Sequence, residues 1–117
     1  MNKIKQISPL TETTFYILIS LIEPLHGYGI MQKVLKLSKE RIHLAPGTLY
    51  GALSNLVDTE MIIPKETQES NPRRKIYHIT NLGKELVSYE ISRLEEMIIN
   101  GKNLLEEKGV KDDKSNK

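Results

Sequence analysis

Two groups of side chains in this chain could do chemistry. Thr48, Tyr50, Ser54 and Asn55 bring hydroxyls and a carboxamide into the stretch HLAPGTLYGALSNL, residues 43–56, and Arg73, Arg74 and Lys75 are three consecutive cations. Hydroxyls can hydrogen-bond phosphate oxygens, and a carboxamide such as that of Asn55 can pair with adenine N6 and N7 in a major groove. Adjacent cations neutralise phosphates or protect a sheet edge. Pro46 suits the first turn of a helix, whose free N–H groups favour an anion, and Gly47 and Gly51 would let its backbone approach a ligand closely. No Lys or Arg occurs from Ala45 to Met61, while Asp58 and Glu60 are acidic. A helix there supplies neutral hydrogen bonds, so attraction to a polyanion has to come from Arg73 to Lys75 and from Lys39, Arg41 and His43. Those last three either meet phosphates or form a solvated loop. Tyr28, in HGYG, could donate to a phosphate or pack with its hydroxyl exposed.

Other chemistry finds no support. The chain has no Cys, which removes thiolate metal sites and disulfides. His26, His43 and His78 are not at ligand spacing, and His26 reads better as a cap or turn residue. No glycine-framed nucleophile turn and no phosphate-binding glycine loop appears. The expectation is no metal, no cofactor and no enzyme. The net charge of +2 over 117 residues leaves the distribution of charge to decide the partner. The apolar stretch Phe15 to Ile22 follows Thr11, Glu12, Thr13 and Thr14, unlike a signal peptide, and is shorter than the roughly 20 residues that cross a bilayer. A cytoplasmic protein is expected.

The elements that must position these residues read as follows. Residues 1–9 suggest a flexible arm. Thr11 caps a first helix so apolar, with Phe15, Ile17, Leu18, Ile19, Leu21 and Ile22, that it must be buried on more than one side, in part by a second subunit. Pro24 ends it. LHGYGIMQKVLKLSK begins a second helix with Ile30, Met31, Val34, Leu35 and Leu37 at helical spacing. The third starts at Pro46, with Leu49, Leu53, Leu56 and Val57 on its apolar face. MIIPKET and RKIYHIT form two strands around a polar turn, the first an edge strand because of Pro64. Thr80 caps a last helix reaching about Glu107, although Asn100-Gly101 could end it early. Val87, Ile91, Leu94, Ile98 and Leu105 make a seam along it, at steps of four, three, four and seven. The organisation is a winged helix-turn-helix, mostly α with a small β-wing, over 10–79. A C-terminal dimerisation helix covers 80–107 and a disordered charged tail 108–117.

LTETTFYILISLIEPLHGYGIMQKV, LAPGTLYGALSNL and RRKIYHITNLGKEL together resemble the PadR family of bacterial transcriptional regulators, over roughly Leu10 to Leu94. The resemblance implies a homodimer that binds a pseudo-palindromic operator in double-stranded DNA and usually represses transcription. It implies that the third helix enters the major groove, that the wing touches the flanking backbone, and that the last helix pairs with the partner's first, where Phe15 and Ile19 lie. Some relatives take small phenolic or flat aromatic effectors. Here such a ligand at the dimer interface would meet Phe15, Tyr16, Ile19, Tyr89 and Met97, which otherwise serve as packing. Two positions depart from the family pattern. Ser54 and Asn55 stand where Arg or Lys is frequent, and Glu60 stands where Gly usually closes the third helix. The absence of basic residues on the third helix, together with the small net charge, keeps a second reading open, a winged-helix protein-interaction module that does not read DNA.

Overall fold

The computed structural model describes residues 2–65 and 75–109. A short helix α1 (Asn2–Ile7) leads to α2 (Glu12–Ser20), a two-residue strand β1 (Leu25–His26), α3 (Gly27–Leu37) and α4 (Pro46–Asp58). Strands β2 (Ile62–Lys65) and β3 (Ile76–Ile79) follow, then α5 (Asn81–Leu104), which continues into a π-helical turn at Leu105–Gly109. The sheet has the order β1-β3-β2, antiparallel throughout. Pro64 therefore does sit on an edge strand, paired in register with Tyr77. The strand at Leu25–His26 has no sequence signal of its own, because two residues are too short to show alternation.

The N-terminus differs from the expected free arm. Asn2–Ile7 is helical and Ile4 is buried in the core. A conformer that puts one Ile out of water while ordering a single turn is favoured when its neighbours also hold it. Here the Ser8 hydroxyl and the Leu10 N–H both donate to the Glu90 carboxylate of α5.

The caps fall where the side chains dictate. Thr11 accepts from the Thr14 N–H at 3.1 Å and Thr80 from the Gly83 N–H at 3.0 Å, starting α2 and α5. The core joins Ile17, Leu18 and Leu21 of the first large helix to Ile30 and Val34 of α3 and to Leu49, Leu53 and Leu56 of α4. β2, β3 and the first turns of α5 close it through Ile62, Ile79 and Leu86. Leu37 is exposed rather than packed, since α3 ends there and the chain turns away.

Two helix ends decide where α4 lies. α3 closes with the Glu40 N–H donating to Leu35 O at 2.8 Å and the Lys39 N–H to Lys36 O at 3.1 Å. α4 closes in the same way, the Met61 N–H donating to Leu56 O at 2.9 Å and the Glu60 N–H to Val57 O at 3.0 Å. These are Schellman closures, which need a left-handed residue. Lys39 (φ 52°), Glu40 (φ 65°) and Glu60 (φ 69°) supply it without being glycine. Glu60 thus replaces the usual glycine in the same geometry. It is held by Thr80 Oγ1, which donates to its carbonyl at 2.7 Å, and by an ion pair with Lys3 at 2.9 Å.

The last helix runs through Asn100 and Gly101 without a break. From Glu95 to Glu107 every residue is exposed, Ile98 and Leu105 among them, so the outer half of α5 carries its seam away from the rest of the chain. Residues 110–117, most of the expected tail, lie outside the described residues. Among those described, no helix is long and apolar enough to cross a membrane.

Candidate nucleic-acid interface

The outer face of α4 is built from what its inner face leaves over. Leu49, Leu53 and Leu56 turn into the core, which sends Gly47, Thr48, Gly51, Ser54, Asn55 and Asp58 to the surface. Among the described residues, a methyl group added at Gly47 or Gly51 would meet no atom within 4 Å. Glycine at these two positions serves no packing need and bares the backbone of the first two turns. Among the described residues, the side chains of Thr48, Ser54 and Asn55 have no hydrogen-bond partner, and the Asn55 backbone carbonyl takes the Thr59 hydroxyl at 2.9 Å.

The N-termini of the two central helices differ from the other two large ones. α2 and α5 carry threonine caps, whereas Ala45 before α4 and His26 before α3 make no side-chain cap bond. Neither start has a side-chain cap, and in the first turn of α4, where Gly47 and Thr48 are exposed, the free N–H groups are left to solvent or to an anion. Tyr28 is 65% exposed in the first turn of α3.

Among the described residues, some of these cations are ion-paired and others have no ion-pair partner. Lys39 is exposed in the tight turn between α3 and α4. Arg41 is exposed too, but its guanidinium is ion-paired with Glu12 at the start of α2. That partner could not be read from the sequence, since the two residues are far apart along the chain. Lys33 is likewise paired with Glu23 at 3.2 Å. Both pairs are exposed, so each contributes at most about 1 kcal/mol and a phosphate can compete for the cation. Lys75 is exposed at the start of β3. Arg73 and Arg74 lie outside the described residues.

Tyr50 and Tyr77 join the reading face to the wing. Tyr50, 43% exposed, lines a cleft of about 200 Å³ between α4 and the strands, with Ser54, Asp58, Pro64, Lys75 and Tyr77. Burial pushes the Tyr77 phenol above its ordinary pKa and the nearby Tyr50 adds to this, so the hydroxyl stays protonated at neutral pH. The place of Tyr77 beside α4 follows from the tertiary fold. Asp58, at the C-terminal end of α4, lies in the same cleft.

The expected interface between copies divides differently. Phe15 and Ile19 are partly buried against the chain's own core and Val87 is 9% exposed, while Ile91 (44%), Ile98 (54%) and Leu105 (58%) are open. Leu94 is partly buried. Of the residues expected around an effector, Phe15 and Tyr16 meet edge to face with ring centres 6.3 Å apart. Tyr89 lines a separate open cleft of about 430 Å³ with Ile4, Lys84 and Ser88, and Met97 is exposed beyond it. Of these five, the cleft at Tyr89 takes in neither Phe15, Tyr16, Ile19 nor Met97.

Comparison with known proteins follows the same geometry. Residues 16–88 match the model of the transcriptional regulator PadR-like family. A transcriptional regulator from Clostridium thermocellum is 27% identical with a TM-score of 0.61, over 80% of this chain and 87% of that one. A PadR-like transcription factor from Bacteroides fragilis has a TM-score of 0.65 at 22% identity, over 79% of this chain and 87% of that one, a likeness of fold. An uncharacterized 37.1 kDa protein in a transposon of Streptomyces fradiae is 37% identical over 67 residues. That match takes in 57% of this chain and 18% of the relative, so the chain spans under a fifth of its length.

Proposed function

Because the chain belongs to the PadR-like family of transcriptional regulators, we propose that it works as a homodimer that binds a pseudo-palindromic operator and represses transcription. The observation that carries this reading is the outer face of α4, where Gly47 and Gly51 bare the backbone and, among the described residues, the side chains of Thr48, Ser54 and Asn55 have no hydrogen-bond partner. α4 enters the major groove, with Thr48 and Ser54 on phosphates and Asn55 on a base edge. Tyr28 and the start of α3 meet the backbone. Affinity comes from Lys39, Arg41 and Lys75, and from Arg73 and Arg74 in the wing segment, doubled by the second subunit.

The second subunit enters through α5. A helix half with Ile98, Leu104 and Leu105 open to water, and no buried residue of its own, is stabilised by burying that stripe on a copy of itself. The reading also admits a small apolar or aromatic effector between the copies, beside Phe15, Tyr16, Ile19, Tyr89 and Met97.

The test is selection of bound fragments from the protein's own genome, with its own promoter included. A shared palindromic sequence among retained fragments is the expected result, with binding that weakens steeply as salt rises. No sequence selectivity, together with stoichiometric capture of one defined protein, would establish the interaction-module reading instead. Derepression of a reporter placed behind the selected site, on deletion of the gene, separates repressor from activator.

A further inference from the structure

Gly27 is buried at the first position of α3, and its backbone needs no left-handed φ. Conformational freedom therefore does not account for glycine there. Tyr50 does. A Cβ built on Gly27 would overlap the Tyr50 hydroxyl, and would lie 3.0 Å from Tyr50 Cζ and 3.5 Å from Leu49 Cδ2. The phenol end of Tyr50 occupies the space a side chain at position 27 would fill. Tyr50 also lines the cleft it shares with Tyr77 of β3. Residue 27 directly follows β1, whose Leu25 pairs with Tyr77. One side chain of α4 thus bears on the start of α3 and on the strand that carries the wing.

We propose that Tyr50 is a positioning residue that fixes the angle of α4 against α3 and the wing, with Gly27 as its socket, and that it acts through packing rather than by hydrogen-bonding DNA. The inference rests on the DNA-binding reading above. An aromatic ring with two side-chain torsions is a rigid spacer. Base-edge hydrogen bonds weaken steeply with distance and angle, so a small rotation of α4 loses sequence discrimination while phosphate attraction remains. Among the described residues the Tyr50 hydroxyl has no hydrogen-bond partner, which is what a packing role requires.

The full-length protein is tested as wild type, Tyr50→Phe, Tyr50→Ala, Gly27→Ala and the Gly27→Ala/Tyr50→Ala double variant. Affinity is measured for a selected genomic fragment and for an unrelated duplex of equal length. Tyr50→Phe is expected to keep the wild-type ratio of the two affinities. Tyr50→Ala and Gly27→Ala should each lower the ratio about tenfold while leaving the unrelated duplex unchanged, and the double variant should be no worse than Tyr50→Ala. Simple loss of folded protein lowers both affinities together and leaves the ratio intact, which would overturn the proposal. So would a Tyr50→Phe variant as impaired as Tyr50→Ala, or additive effects at 27 and 50. A wild-type protein without any preference between the two duplexes refutes the DNA-binding reading itself, and the proposal with it; every other failure concerns Tyr50 alone.

Discussion

Glu60 shows how one residue carries a local cost for a global position. Its φ of 69° closes α4 and turns the chain into β2, in a region where a side chain costs on the order of 1 kcal/mol relative to glycine. Its ion pair with Lys3 is exposed on both sides and offsets little of that. Glu60→Gly is therefore expected to raise unfolding stability by about 1 kcal/mol, measured by chemical denaturation. Glu90 is the opposite case, a buried charge that is well held. The guanidinium of Arg93 grips it with bonds of 2.9 and 3.0 Å, and together with the Ser8 hydroxyl and the Leu10 N–H outweighs burial, lowering its pKa from 4.5 to about 2. A folded-state pKa below the unfolded one gives stability that is fully present above pH 4.5 and is lost as pH falls toward 2. Between pH 7 and pH 3 this group should account for about 2 kcal/mol of lost stability. Glu90→Gln should remove that part of the pH dependence, read from denaturation midpoints at the two pH values.

Among the elements, the start of α5 is fixed by an approach that only glycine allows. A Cβ at Gly83 would overlap the Met61 carbonyl and lie 2.6 Å from Ile79 Cγ1. Met61 O also accepts the Thr80 N–H at 3.0 Å, so the carbonyl cannot easily move aside. Gly83→Ala would improve helix propensity by at most about 1 kcal/mol, yet the clash should dominate and destabilise the protein by about 2 kcal/mol net. A lowered thermal midpoint checks this, with Gly101→Ala, whose added methyl meets no atom of the described residues within 4 Å, as the harmless comparison.

For the whole molecule, the outer half of α5 and the wing carry the expectations. Ile98 is 54% exposed and lies beyond Glu90, the last buried residue of α5, so Ile98→Asp should leave the fold of one copy intact. Sedimentation at micromolar concentration is expected to give a dimer for the wild type and a monomer for Ile98→Asp; a wild-type monomer refutes the dimer. Arg73→Ala/Arg74→Ala should weaken operator binding. It should also make the slope of log affinity against log salt shallower by about one for each phosphate that is no longer neutralised. An unchanged slope would remove the wing cations from the interface.

Much of this was legible in the residues themselves. Thr11 and Thr80 as caps, the inward leucines of α4 and Pro64 on an edge strand all follow from local rules: a hydroxyl before a helix, a period of 3.6, a missing N–H. The outward set of Thr48, Ser54 and Asn55 follows from the same periodicity, because what does not face the core must face out. Contacts between distant residues were hidden. The helix at Asn2–Ile7 exists because Ile4 finds a core and Glu90 holds Ser8 and Leu10; six residues carry no such instruction alone. The Arg41–Glu12 pair and the socket of Tyr50 at Gly27 join positions whose sequence separation says nothing of proximity. Local chemistry set the elements and their faces. Packing decided which polar groups on those faces are already engaged and which remain free for a partner.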